Sequence, residues 1–439
     1  MLIEFNVQNF GSIKEKQTLS FEADKSTHLE NHFIINTTGK LRLLKLALIY
    51  GANASGKSTI LKALEFLRKL VLEPTEKKTD NLELNPFLFD SESAKKNSIL
   101  SIHFIQNDIR YYYEVELNRK AIFREELMFF NPNKATVFKR TSNVHKQFTE
   151  ITFGSKIKKD KITEQNLEAN TLWNNTVLGG FLKTNVDVKE LKEAVDWFKN
   201  YLRPLIFTNT QLEGFVTSKI ESGEVSKSDV VNILKQADFN ISDLVIQEEK
   251  KGIPDGLMDF LKKQLKDSPK GIEKIEEIEE KGGIASANLE FEHTVNQVKY
   301  SLPIEMESQG TRRFYGFAGL LSMLIKNSVA FPIDELEASL HPELFTHFLL
   351  SFLINSKKSQ IIATTHNREI LTNKDIFRND AIWFTDKSEK SATQLYSLSD
   401  FDSSVVRDSS NIFNAYKTGK LGGLPNLGDY YIDISHEEN

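Results

Sequence analysis

Cysteine is absent from this 439-residue chain. That excludes a disulfide scaffold, thiolate-ligated zinc, iron–sulfur clusters and thiol nucleophiles together. Glycine and proline are sparse, at 21 and 10 residues, so collagen-like and low-complexity architectures do not apply. No uncharged apolar run reaches the roughly 18 residues that a membrane-spanning helix requires. There is no excess of basic charge: 56 Lys and Arg stand against 61 Asp and Glu, a net charge of −5. A bulk polycation is excluded, and any nucleic-acid contact is confined to a local patch. The opening Met1–Val7 places an acid at Glu4 and has no basic stretch ahead of an apolar one, so no signal peptide is expected. The expectation is a soluble, cytoplasmic protein without membrane contact.

What is present is an ordinary globular balance, 40% hydrophobic and 27% charged with 31 Phe, enough for one large core or two to three smaller ones. Leu2–Val7 alternates with period two, and Gln17–Phe21 reads as a second strand. Leu44–Tyr50 is apolar apart from Lys45, as a buried parallel strand would be. It runs into a Gly-containing loop and then a helical pattern, Ile60–Leu67. From Ile99 to Phe153 short alternating segments predict an antiparallel meander, with Tyr111, Tyr113, Val115 and Leu117 on one face. From Lys156 to Lys281 the pattern turns helical, including Val186–Leu202 and a capping box at Ser226 and Asp229. Glu273–Lys281 reads as a solvated helix face. Strand patterns return at Asn288–Phe291, Gln297–Leu302, Ala381–Thr385 and Thr393–Leu398.

Gly51-Ala52-Asn53-Ala54-Ser55-Gly56-Lys57-Ser58 matches the P-loop pattern, in strand–loop–helix context. Amides of such a loop wrap phosphate oxygens, and the following helix offers its positive end. Gly51, Asn53, Ala54, Ser55, Gly56, Lys57, Ser58 and Thr59 are thus the candidate nucleotide contacts. Lys57 reaches the outer phosphates, and the Ser58 hydroxyl is a magnesium ligand. Ala330-Phe331-Pro332-Ile333-Asp334-Glu335 is an apolar strand ending in two acids: Asp334 to hold the metal, Glu335 to polarise the attacking water. Pro332 falls inside what should be a central strand, where a missing N–H removes a ladder bond and predicts a local irregularity. Ser308-Gln309-Gly310 opens a helical pattern 26 residues before Asp334, a second place where an anion can meet a helix start. His366 ends the apolar Ile361–Thr365 run 32 residues after Asp334, where it can touch a γ-phosphate.

These four motifs, in this order and spacing, resemble the ATP-binding-cassette superfamily, and within it the SMC-like and RecF-like heads. Phe5–Ile13 looks like their opening strand and turn, and Asp334–Pro342 like their acidic strand end plus D-loop. Tyr111–Tyr113, Ile382–Phe384, Leu395–Phe401 and Gly419–Pro425 resemble the AbiL/RloA-type abortive-infection ATPases, which are related to the ATPase half of OLD-family nucleases. The signature departs from the transporter form, reading Ser-Gln-Gly, and the Q-loop glutamine has no clear place, with Gln106 the nearest candidate.

The resemblance implies an α/β P-loop ATPase head of ABC type, with a parallel-sheet core, an antiparallel β lobe and a helical insertion. Its parts are expected at 1–155 (P-loop and β lobe), 156–281 (insertion) and 282–439 (signature, D-loop and His366). It implies ATP and Mg²⁺, catalytic roles for Lys57, Glu335 and His366, and a homodimer sandwiching two nucleotides, open to higher assembly. Ser308 and Gly310 of one protomer would then contact the γ-phosphate held by Lys57 of the other. The function implied is the sensor or regulator of an anti-phage system acting on a separate nuclease or toxin, since the 73 residues after His366 leave no room for a Toprim nuclease. The alternative is an SMC/RecF-like repair or chromosome-maintenance ATPase that binds DNA, through the basic cluster Lys156–Lys161 if anywhere.

Overall fold

Burial of the run Leu46–Gly51 organises the parallel sheet: every residue of this strand is buried, as only a central parallel strand demands. The computed structural model of the chain describes residues 1–39, 41–159, 161–251, 258, 262, 284–372, 376–401 and 409–424. The chain divides into two compact units. The first comprises Met1–Thr210, Leu324–Ala338 and Leu349–Asn439, and the second Gln211–Met323 and Ser339–Phe348.

The first unit holds two large sheets. One is antiparallel, built from β1 (Leu2–Gln8), β2 (Gln17–Ser20), β6 (Ser98–Gln106), β7 (Ile109–Leu117), β8 (Ile122–Phe130), β9 (Lys134–Asn143) and β10 (Phe148–Phe153), in the order β10-β9-β8-β7-β6-β1-β2. This is the expected meander, joined at its end by the N-terminal strand. Tyr111, Tyr113, Val115 and Leu117 face inward as the alternation predicts. Phe104 stacks on Tyr111 at 5.3 Å and on Trp197 at 4.4 Å, contacts worth roughly 1 kcal/mol each beyond area burial. Arg140 and Glu125 pair at 3.7 Å inside this lobe, both side chains fully buried. Burial pushes the Glu125 carboxyl up and the Arg140 guanidinium down to about 10. The carboxylate accepts from Tyr113 Oη at 2.8 Å and from the Val177 amide at 2.8 and 3.0 Å. Arg140 donates to Trp173 O at 3.1 Å. The pair therefore fastens the Trp173–Val177 segment to the sheet.

The second sheet is the parallel core, with β5 (Leu46–Gly51), β14 (Ala330–Ile333), β15 (Gln360–Thr364), β16 (Ile382–Lys387) and β17 (Thr393–Ser397) in the order β14-β15-β5-β16-β17. Only β17 is antiparallel. Just before β5, Lys45 is buried, donates to Leu353 O at 2.9 Å and Ser356 O at 2.6 Å, and is lowered to about 8 by that burial. It caps the end of the helix Pro342–Asn355. A small ribbon of β3 (Ile34–Asn36) and β4 (Arg42–Leu44) completes the unit.

The irregularity expected at Pro332 does not occur. The ladder from Ala330↔Gln360 to Ile333↔Ala363 runs without a register shift. In strand order β14 lies at the sheet's edge, not its centre. Pro332 presents its carbonyl to the Ile206 amide at 3.0 Å, on the side away from β15. Its missing N–H lies on that same side, so no bond to β15 is lost.

Region 156–281 departs in part from the helical expectation. Helices cover Lys161–Asn170, Val177–Phe181, Lys189–Asp196, Leu212–Glu221 and Lys227–Gln236, the last capped by Ser226, whose hydroxyl accepts from the Asp229 amide. Asp243–Lys251 is instead a strand, β11, paired antiparallel with β12 (Ile284–Val295), which pairs in turn with β13 (Val298–Pro303). Its partner lies more than thirty residues downstream, beyond the reach of local periodicity. The stretch Glu273–Lys281 lies outside the described residues. The second compact unit begins at Gln211 and contains Ser308. In that unit Phe291 of β12 meets Tyr315 edge-on at 5.3 Å, and Phe239 stacks on Phe314 at 5.1 Å, so the helix Gln309–Lys326 is the unit's central support. No helix among the described residues is long and apolar enough to cross a membrane.

Candidate nucleotide-binding site

The loop between β5 and the helix Lys57–Leu72 is held open by parts far away in sequence. Ser55 Oγ lies 2.5 Å from Thr385 Oγ1, and Thr393 Oγ1 donates to Ser55 O at 2.8 Å. Ser12 bonds both Thr393 Oγ1, at 2.8 Å, and Thr59 Oγ1, at 3.0 Å. The turn Phe10–Ile13 thereby braces the first turn of the helix. Gly56 has φ 106°, and a Cβ there would stand 2.0 Å from Thr393 Oγ1. Only glycine fits, in both backbone and space. Asn53 and Ala54 are exposed at the loop's crest, Ala54 at φ 63°.

Lys57 is buried and donates to Gly51 O at 2.9 Å and Ala52 O at 3.0 Å. Burial lowers its pKa, while the charges of Glu335, Asp334 and Glu337 pull it back up. Ser58 Oγ donates to Asp334 Oδ1 at 2.9 Å, so the first and third motifs meet. Thr364 Oγ1 donates to the same oxygen at 2.7 Å and accepts from the Glu335 amide at 2.8 Å. Glu335 adopts φ 51°, a left-handed conformation unusual for a side-chain-bearing residue. Its Oε2 accepts from Thr208 Oγ1 at 3.2 Å. Thr208 follows the Leu202–Ile206 segment, which runs parallel to β14 through bridges at Ala330 and Ile333.

His366 follows β15, and its amide donates to Glu337 Oε1 at 2.5 Å. Partial burial, then the Lys57 ammonium, lower the imidazole pKa, partly offset by Glu337 and Glu335. Glu337 Oε2 is buried and has no hydrogen-bond partner among the described residues. Gly51, Lys57, Ser58, Asp334, Glu335 and His366 therefore converge at the C-terminal ends of β5, β14 and β15, where open parallel sheets bind ligands.

Ser308 and Gly310 lie in the second unit, at the start of the helix Gln309–Lys326. Ser308 is exposed and caps that helix: its Oγ accepts from the Thr311 amide at 3.1 Å and lies 2.8 Å from Thr311 Oγ1. A Cβ on Gly310 would come within 3.3 Å of Ser339 O, which sets the helix start beside the D-loop. Gln106 ends β6 at the hairpin formed by Asn107 and Asp108, apart from these loops in topology.

Sequence reasoning assigned no role to Thr208, Thr364, Glu337, Thr385, Thr393 or Ser12. Thr364 had a local signal, two positions before His366. Glu337 also had one, two positions after Glu335, whereas Thr208, Thr385, Thr393 and Ser12 depend on long-range packing, which no local pattern carries. Ser58 Oγ and Asp334 Oδ1 are hard oxygen donors at one place, a set that fits magnesium. No group of three or more His, Cys, Asp or Glu side chains able to hold a metal ion occurs among the described residues.

Comparison with solved structures finds similarity to an SMC head bound to the C-winged helix domain of ScpA (13% identity, 90% of this chain and 97% of that one, TM-score 0.46). It also finds the SMC head domain from Thermotoga maritima (12%, 90% and 98%, TM-score 0.39). A third is an Smc head with an extended coiled coil bound to the C-terminal domain of ScpA, derived from Pyrococcus furiosus (14%, 90% and 96%, TM-score 0.40). No curated protein matches. The family model described as "AAA domain, putative AbiEii toxin, Type IV TA system" matches residues 46–372, from the P-loop strand past His366, and the chain belongs to that AAA-domain family.

Proposed function

We propose that this chain binds and hydrolyses ATP as a gated switch, dimerising head to tail around two nucleotides. The observation that carries the reading is the Ser58–Asp334 hydrogen bond at 2.9 Å, which joins the phosphate loop to the acidic strand end beside Glu335. Amides of residues 53–58 would cradle the phosphates, and Lys57 would exchange its bonds to Gly51 O and Ala52 O for phosphate oxygens. Ser58 and Asp334 would hold magnesium, which when bound neutralises phosphate charge. Glu335, held by Thr208 and by the Thr364 hydroxyl on its amide, would accept the proton of the attacking water. His366, kept neutral near pH 7 by its lowered pKa, would hydrogen-bond the γ-phosphate without adding charge. The exposed Ser308–Gly310 turn would complete the partner protomer's site, so that ATP favours the closed dimer and hydrolysis removes the preference.

The setting we propose is bacterial anti-phage defence of the abortive-infection kind, with this chain controlling a separate effector. The family description, which names a toxin of a type IV toxin–antitoxin system, supports that setting. DNA contact gains no support from the basic cluster: Lys159 is paired with Glu164 and lies over the Phe153 ring, and Ile157 is buried.

Glu335→Gln tests the reading. The variant should bind ATP, turn it over about 10²-fold or more slowly, and accumulate as an ATP-dependent dimer on a sizing column. A variant that stays monomeric with wild-type turnover would sink the composite site.

A further inference from the structure

The segment Gly419–Leu424 repeats glycine in a way the nucleotide motifs do not explain. It follows the helix Ser409–Lys417 and turns back towards the phosphate loop. Gly423, at φ 68°, lies so close that a Cβ on it would stand 3.3 Å from Gly51 Cα and 3.3 Å from Thr385 O. Its amide donates to Asp386 Oδ2 at 3.2 Å. Tyr396 Oη, from β17, donates to Leu421 O at 2.8 Å, and Leu421 is buried.

Tyr416 is the centre of this contact. It is buried, packs against Phe384 at 5.4 Å, and meets Tyr50 edge-on at 6.1 Å. Tyr50 and Gly51 are the last residues of β5. The Tyr416 hydroxyl donates to Gly423 O at 3.3 Å. Burial pushes its phenol up, while the Arg368 charge draws it back. Arg368 lies over the Tyr416 ring at 5.5 Å from its centroid, a cation–π contact. Arg368 is two residues past His366, and its charge helps to depress the His366 pKa. One side chain therefore bears on the start of the phosphate loop, through its hydroxyl's bond to the Gly423 that lies against Gly51, and on the turn that carries His366, through its ring.

We infer that Ser409–Leu424 is a strap on the nucleotide site, with Tyr416 a positioning residue that holds Gly423 against Gly51 through its hydroxyl and Arg368 through its ring. The inference rests on the ATPase reading and predicts a split that packing alone does not produce. The hydroxyl acts on the phosphate loop, so its loss should appear in nucleotide affinity. The Arg368 contact acts on the His366 turn, so its loss should appear in turnover.

The experiment measures KM and kcat for ATP, well below each variant's melting midpoint, in wild type, Tyr416→Phe, Arg368→Gln and Lys420→Ala. Tyr416→Phe keeps the ring and should raise KM about fivefold with kcat unchanged. Arg368→Gln should lower kcat by a similar factor and move the acid limb of its pH profile upward, because a charge that depresses His366 is gone. Lys420→Ala, exposed on the strap, should change neither constant. A Tyr416→Phe chain with wild-type KM and kcat, whatever its melting midpoint, overturns the inference. Were the wild-type chain to show neither binding nor turnover of ATP, the ATPase reading would fall and take the strap with it. That outcome is separable from the first, since it appears in the unmodified chain.

Discussion

Two helices here begin at a Ser- and Gly-containing turn, Lys57–Leu72 and Gln309–Lys326, and the two starts are finished in opposite ways. The first has no side-chain cap; its N-cap is Gly56 at φ 106°, and distant threonines wall it in. The second caps itself with an exposed Ser308. An uncapped start inside a braced loop keeps its amides for a ligand, whereas a self-capped start on the surface has met its own needs. The Ser308 hydroxyl still has a proton it can redirect to an anion by a simple rotation. The difference teaches that the first start keeps its amides open inside a braced loop, while the second has an amide already met by its own serine.

The comparison breaks most visibly at the two proposed phosphate contacts. Lys57→Ala should weaken ATP binding by about 100-fold or more, since a buried charge-assisted bond is lost, whereas Ser308→Ala should leave affinity of the dilute protomer within about twofold; calorimetric titration of both variants decides this. The glycines come next. Gly56→Ala should destabilise the fold by about 3 kcal/mol, through both the positive φ and the Thr393 clash. Gly310→Ala, with its nearest contact at 3.3 Å, should stay within about 1 kcal/mol; urea unfolding of both gives the contrast. Ser308→Ala should lower steady-state turnover about tenfold, beyond the roughly 1 kcal/mol of stability that the cap supplies. Equal turnover in that variant would mean that the second start serves only its own helix.

The smallest effect is in pH. The His366 pKa is lowered in the folded chain, so the unfolded state holds more protons as pH falls through the unfolded value near 6.5. The stability tied to this group is present above that value and is lost as pH drops through the folded pKa. His366→Gln should therefore flatten the acid side of a melting-temperature profile, while leaving the profile above pH 7 unchanged.

How much was legible follows from distance along the chain. The P-loop, the Asp334-Glu335 pair and His366 are contiguous motifs set on apolar runs, and local pattern is enough to find them. The edge position of β14 was not legible, because strand order is decided by crossovers; Pro332 looked misplaced for that reason alone. The strand Asp243–Lys251 was hidden by its charged residues, because its three apolar ones, Leu244, Val245 and Ile246, stand together and set no period of two against helical neighbours. Thr385 and Thr393 reach the loop from more than 320 residues away, and nothing near Ser55 foretells them.

Thr364 has one hydroxyl proton and spends it on Asp334, while the same oxygen receives the Glu335 amide. The residue proposed to hold the metal and the one proposed to take the proton therefore share a hinge pin. Neither residue can be altered with the other held as a silent background, and paired substitutions at Asp334 and Glu335 should give effects that do not multiply. A change at position 364 itself would be felt by both at once, so in the proposed mechanism the grip on the ion and the placing of the base would shift together.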